Sequence, residues 1–206
     1  MKTEVLSATD PAAVRQAAQV LRHSGLVAFP TDTVYGVGAM VFIESAVERL
    51  YTIKGRSTDK AIAVLVGRVE DLKKVTASLT PLAEKLAQAF WPGPLTLVVP
   101  KHSSVPNMVS ALPTIGVRLP DHPIARQLLE RTGPLAVTSA NRSGEPSPVT
   151  GAEVLAQLQG RIDVLLDGGH VPGGIPSTVI DCTNETPVVL REGPITLADI
   201  EKVLKS

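Results

Sequence analysis

Leu26-Val27-Ala28-Phe29-Pro30-Thr31-Asp32-Thr33-Val34-Tyr35-Gly36-Val37-Gly38-Ala39 decides how the rest of the chain is read. The apolar run from Leu26 to Phe29 has the length and composition of a buried strand. Pro30 has no N–H to give to a ladder and ends it. Three small polar side chains, Thr31, Asp32 and Thr33, then occupy a turn. Gly36 and Gly38 beside it allow backbone to approach a ligand closely. A plain connection between elements needs no such concentration of hydroxyls and glycines, so the segment reads as a ligand site.

Helix and strand signals alternate on either side of it. Asp10-Pro11 predicts a helix start with Val14, Ala17, Ala18 and Leu21 on one face and Gly25 as its stop. A second helix carries Val47, Leu50 and Tyr51 toward Lys54-Gly55, and Ala61 to Val66 reads as a buried strand. Thr80-Pro81 opens a helix with Leu82, Leu86, Ala89 and Phe90 facing inward, broken by Trp91-Pro92-Gly93-Pro94. Strands are expected at 95–99 and 115–119, a helix from Pro123 to Gly133, and a short strand at 135–138. Thr150 and Glu153 have capping-box spacing, with Val149 and Val154 placed as a hydrophobic staple. Strands at 163–166, 178–182 and 188–190 follow, then a helix capped by Thr196. With no repeat or linker in between, this order predicts one α/β domain over residues 1–206, a twisted mixed sheet with flanking helices.

Composition narrows the function. The 206 residues are 44% hydrophobic, 19% charged and 3% aromatic, with zero net charge. A protein relying on non-specific nucleic-acid binding would be basic, so any RNA contact is expected to be local and weak. The single cysteine, Cys182, lies in an apolar run and reads as a core thiol. Met1-Lys2-Thr3-Glu4-Val5 lacks the pattern of a signal peptide and no apolar stretch reaches membrane-spanning length, so the expected location is the cytoplasm.

Polar, Gly and Pro residues gather at the ends of strands and helices. They stand at Thr31-Asp32-Thr33, Lys54-Gly55-Arg56, Trp91 to Pro94, Gly116-Val117-Arg118, Thr138 to Asn141, Ser177-Thr178 and Arg191 to Pro194. Arg118 interrupts an otherwise apolar strand, so it either faces solvent on an edge or lines a pocket. Lys54, Arg56, Arg118 and Arg191 together could hold a polyanion, since the arginine fork makes paired, charge-assisted bonds. No Walker motif or complete dinucleotide-binding glycine pattern is present. Ser139 lacks a nucleophile-elbow context, and none of the four histidines has helical zinc-pair spacing. What remains is a site of hydroxyls, amides and fixed cations, suited to positioning and to stabilising phosphoryl charge.

The ordered motifs FPTDTVYGVGA, KGR, WPGPLTLVV, GVRLPDHPIA, TSAN followed by PSP, GGH, STVID and LREGP span nearly the whole chain. In this the sequence resembles the YrdC-like family of L-threonylcarbamoyladenylate synthases, in its short single-domain form. The resemblance implies the YrdC-like fold and condensation of L-threonine, bicarbonate and ATP to threonylcarbamoyl-AMP and pyrophosphate. A downstream threonylcarbamoyl-transferase complex then modifies tRNA next to the anticodon. It further implies Mg²⁺ carried by the ATP phosphates, with no protein-built metal site and no tightly bound organic cofactor. Lys54 and Arg56 would be the catalytic pair. Thr33, Leu65, Arg118, Val137 and Ser177 would hold threonine. Arg56, Lys60, Thr114, Ser139, Asn141, Ser147 and Arg191 would meet ATP. The sequence departs from the family after Arg56, where Ser57-Thr58-Asp59-Lys60 replaces a proline-containing pattern, and at Leu65, where some members carry histidine. The competing readings are a double-stranded RNA-binding or ribosome-maturation factor, and a paralogue that adenylates another carbamate.

Overall fold

In the computed structural model, which describes residues 2–205, one face of a long mixed sheet is only half covered, and this places the site. The strands in chain order are β1 (Glu4–Ser7), β2 (Val27–Phe29), β3 (Gly36–Met40), β4 (Ala63–Leu65), β5 (Leu95–Pro100), β6 (Thr114–Arg118), β7 (Leu135–Ser139), β8 (Val164–Asp167), β9 (Thr178–Asp181) and β10 (Val188–Arg191). They join in the order β1-β8-β2-β3-β7-β4-β6-β5-β9-β10, with parallel and antiparallel pairs mixed. The helices are α1 (Ala13–Arg22), α2 (Glu44–Lys54), α3 (Pro81–Phe90), α4 (Pro123–Thr132), α5 (Gly151–Leu158) and α6 (Leu197–Lys205). This is the mixed α/β architecture expected from the alternating signals.

The period-2 alternation of the strands sorts apolar side chains into two cores. On one face Ala28, Val37, Val64, Leu97, Val117, Ala136, Leu165 and Ile180 pack with residues of α2, α3, α5 and α6. On the other, Val27, Phe29, Leu65, Leu135, Val137, Val164 and Leu166 pack with Ala17, Leu21, Ala125, Leu128 and Leu129 of α1 and α4. Strands β5, β6 and β9 contribute to the first core only. Their alternate residues Thr96, Val98, Gly116, Arg118 and Val179 face a cavity instead.

Local chemistry explains most element ends. The Thr80 hydroxyl accepts from Ala83 N–H at the start of α3, and Thr150 and Glu153 form the expected capping box on α5. Gly55 closes α2 at φ 60°, where a Cβ would be strained. Three expectations need correction. Asp10 accepts from Ala12 N–H in a preceding turn, and α1 begins only at Ala13. Ser24, at φ 65°, makes the left-handed turn assigned to Gly25, while Gly25 lacks room for a Cβ against Val20. Ala89 is exposed, and Ala83 takes the inward position on α3.

β3 is the larger surprise, because the glycines read as a loop lie in a strand. A Cβ on Gly38 would stand 3.2 Å from both Phe29 and Val137, so that glycine admits side chains, not a ligand. β1 and a 3-10 turn at Val69–Lys74 had no sequence signal that set them apart. Cys182 is fully buried, and burial with Asp181 nearby pushes its thiol up to about 12, as a core thiol should be. Among the described residues no helix is long and apolar enough to cross a membrane.

Candidate active site

The uncovered half of the sheet is the floor of a cavity of about 290 Å³. Small residues, Ala63, Thr96 and Gly116, keep the floor low, and Leu65, Val98, Val137 and Val179 make it apolar. Arg56, Arg118 and Arg191 enter from three elements, and no carboxylate stands among the lining residues. Gly116 is where the depth of the floor is set. A Cβ there would meet Thr96 Cγ2 at 3.1 Å and Ala63 Cβ at 3.7 Å, contacts that a slight shift relieves. Gly116→Val is therefore expected to leave thermal stability within a few degrees of wild type while blocking ligand binding, read by calorimetry.

Arg118 is the best-held of the three cations. It lies at the end of β6, 5% exposed. Nε donates to Gly93 O at 3.0 Å, Nη1 to Thr33 Oγ1 at 3.0 Å, and Nη2 to Asp32 Oδ1 at 2.5 Å. The Trp91-to-Pro94 break thus serves Arg118: it turns the chain so that the Gly93 carbonyl faces the guanidinium. A guanidinium has five N–H groups, so one on each terminal nitrogen remains for a ligand, the match for a carboxylate. Burial lowers the Arg118 pKa; the Asp32 carboxylate opposes this, and Arg191 adds to the lowering. Asp32 is the residue whose role the sequence did not reveal. Its Oδ1 also accepts from Asp121 N–H at 3.2 Å, and its Oδ2 is buried without a hydrogen-bond partner.

Arg191 closes the opposite wall. Nε and Nη2 donate to Ser177 O at 3.0 and 2.8 Å, and Nη2 reaches Ser177 Oγ at 3.1 Å. Ser177 Oγ is in turn 2.8 Å from Thr96 Oγ1. Burial, then the charge of Arg56, lowers the Arg191 pKa. Arg56 is held by its own loop, donating from Nε to Lys60 O at 3.3 Å and from Nη2 to Ala61 O at 3.0 Å. Three cations that feel one another across a cavity without a carboxylate define a place for an anion.

Lys54 stands behind the cavity wall. It is 4% exposed, and its Nζ donates to Ser139 O and, at 2.5 Å, to Asn141 O. The Lys-x-Arg and Ser-x-Asn segments are therefore one unit, with the lysine of the first pinning the backbone of the second. Burial, with Arg56 adding to it, pushes the Lys54 ammonium down to about 7.

The model of the family described as telomere recombination, which groups Sua5, YciO and YrdC, matches residues 19–193. The chain belongs to this family. It is 45% identical over 193 residues to the threonylcarbamoyl-AMP synthase of Pyrococcus abyssi, covering 93% of this chain and 57% of that protein. It is 42% identical over 205 residues to the threonylcarbamoyl-AMP synthase of Bacillus subtilis, covering 98% of this chain and 59% of the relative. The crystal structure of P. abyssi Sua5 complexed with L-threonine superposes with a TM-score of 0.93 at 42% identity, over 98% of this chain and 60% of that one. The chain thus spans somewhat over half the length of these relatives.

Of the residues that the family motifs pointed to, Thr33, Leu65, Arg118, Val137, Ser177, Arg56, Ser139 and Arg191 line the cavity together. Lys54, Lys60, Thr114, Asn141 and Ser147 do not. Lys54 and Asn141 are buried behind the wall, Lys60 is exposed, and Thr114 and Ser147 are half-buried outside the lining. Thr31 and Gly36, in the turn segment read as a ligand site, line it as well, and Thr96 lines it without having been assigned a role. Thr96 had a signal in hindsight, a hydroxyl at the alternate position of an apolar strand. Among the described residues no group of three or more His, Cys, Asp or Glu could hold a metal ion.

Proposed function

We propose that this chain condenses L-threonine, bicarbonate and ATP into threonylcarbamoyl-AMP, releasing pyrophosphate and water. The observation that carries the reading is the cavity of three arginines in which Arg118 keeps one N–H free on each terminal nitrogen. The likeness to a family member complexed with L-threonine supports the same choice of ligand.

In this reaction the N-carboxylated threonine is itself the nucleophile. Its carbamate oxygen bonds to the α-phosphorus of ATP as the α–β bridging oxygen leaves with pyrophosphate. The protein need supply no covalent group. It must hold two anions together, and fixed cations offset their repulsion. Arg118 would take the threonine carboxylate, and Leu65 and Val137 its methyl side. Arg56, Arg191 and the Ser139 segment pinned by Lys54 would face the nucleotide. Magnesium would accompany the ATP phosphates, and the product would pass to a transferase acting on tRNA in the cytoplasm. RNA binding as the primary role gains nothing from the zero net charge, and Arg118 is buried in the cavity wall.

Purified protein given Mg-ATP is expected to release pyrophosphate only when both threonine and bicarbonate are present, with threonylcarbamoyl-AMP visible by mass spectrometry. Release that ignores threonine would refute the reading.

A further inference from the structure

Strand β5 lies between β6 and β9 in the sheet. Leu97 pairs with Val117, so one residue back Thr96 stands beside Arg118. On its other side Thr96 pairs with Val179. Thr96 is 4% exposed and lines the cavity. Its Oγ1 is 2.8 Å from Ser177 Oγ, and Arg191 Nη2 donates to that same serine oxygen at 3.1 Å. Two hydroxyls carry two protons, and the bond between them uses one. Among the described residues no other group accepts from either, so one O–H is left over whichever of the two donates. The guanidinium selects the direction. A hydroxyl that accepts from a cation is polarised into a better donor, so the chain of bonds runs from Arg191 through Ser177 to Thr96. The proton left over is then that of Thr96, on a floor otherwise made apolar by Leu65, Val98, Val137 and Val179. An O–H without an acceptor is costly there, and a ligand oxygen removes the cost.

We propose that Thr96 is a specificity-determining residue: it donates to a hydroxyl oxygen on the ligand's β-carbon, so that the cavity selects a β-hydroxy amino acid over one with a plain alkyl side chain. This rests on the threonine reading above and deepens it. Cross-strand neighbours on one face of a sheet lie about 5 Å apart. A carboxylate held by Arg118 and a hydroxyl held by Thr96 can therefore belong to one amino acid. Leu65 pairs with Arg118 from the other side and is left for the methyl group. Ser177 carries the polarisation of Arg191 to Thr96. It stands on the β9 side of β5, farther than Thr96 from a carboxylate on Arg118.

The test compares binding of L-threonine with that of L-2-aminobutanoate, which keeps the amine, the carboxylate and the terminal methyl and lacks only the hydroxyl. Wild type is expected to prefer threonine by about tenfold, the scale of one hydrogen bond. Thr96→Val keeps the shape of the side chain, removes the donor and should close most of that gap. Thr96→Ser should keep the wild-type ratio. A general loosening of the floor would weaken both ligands and leave their ratio alone. A wild-type ratio in Thr96→Val therefore overturns the proposal, even if both affinities fall. If Thr96→Val does not fold, Thr96→Ala takes its place under the same criterion. Wild type alone is also decisive in one direction: equal affinity for the two ligands overturns the proposal and leaves the threonine reading standing. Wild-type protein that binds no threonine refutes the proposed function itself, and this inference with it.

Discussion

An Arg118→Ala variant is expected to lose threonine-dependent pyrophosphate release by at least about a hundredfold, and to be less stable as well. The first effect follows from the two N–H groups that Arg118 keeps for a carboxylate after bonding Gly93, Thr33 and Asp32. The second follows from what remains. Asp32 has a side chain 14% exposed and loses its ion-pair partner, while its Oδ2 already lacks a hydrogen bond. Removing one member of a buried pair costs about 3–5 kcal/mol, and the residual exposure of Asp32 places this case at the low end. Arg118→Lys keeps the charge and loses the fork, so it should recover stability better than threonine affinity. Adding Asp32→Asn to Arg118→Ala should restore part of the urea midpoint and none of the binding. Threonine titration and a urea melt on the same preparations separate the two. An alanine variant with the wild-type KM for threonine would remove Arg118 from the site.

The residues that could be read from sequence are those whose neighbours along the chain explain them. β5, β6, β7 and β9 announced themselves as apolar runs, and Thr80 and Thr150 as caps three residues from the N–H they accept. Arg118 was visible as a cation out of place in an apolar strand, although the strand alone left open whether it faced solvent. The residues that escaped are defined by partners far away in sequence. Asp32 meets Arg118 across 86 positions, and Thr96 meets Ser177 across 81. Lys54 reads from the sequence as one of four cations around a polyanion, whereas its partners are the carbonyls of Ser139 and Asn141, 85 and 87 residues on. β3 escaped for a related reason. Gly36 and Gly38 make no apolar run, and the side chains that fill their Cβ positions belong to β7 and β2. The family motifs carried the candidate residues as a group, and the structure divides that group into those that line the cavity, the pair Lys54 and Asn141 behind its wall, and Lys60, Thr114 and Ser147 outside the lining.

Lys54→Met is the second change expected to be severe, and its effect should depend on pH in a definite direction. Methionine matches the length and apolar stem of lysine but leaves the buried Ser139 and Asn141 carbonyls without their donor. Each such loss costs about 1–3 kcal/mol and frees the segment that faces the nucleotide, so turnover should fall at least about tenfold. The wild-type lysine carries its own strain. Its ammonium has three N–H groups, and the structure gives bonds for two of them, both to carbonyls. The neutral amine has two N–H groups and satisfies the same carbonyls with no charge to bury. That matches a folded-state value of about 7 against 10.5 for an unperturbed lysine. Below pH 7 both folded and unfolded chains carry the proton, and the full penalty of burying it applies. Between pH 7 and about 10 the unfolded chain holds one more proton than the folded one at this position, so folding stability rises with pH. The stability of wild type relative to Lys54→Met should accordingly increase across that window, by several kcal/mol at most (on the order of 1 kcal/mol per pH unit). Urea melts of both proteins at pH 6, 7, 8 and 9 would show it. A difference that stays flat over this range would mean that Lys54 keeps its proton in the fold. It would then hold the Ser139 segment as a permanent cation.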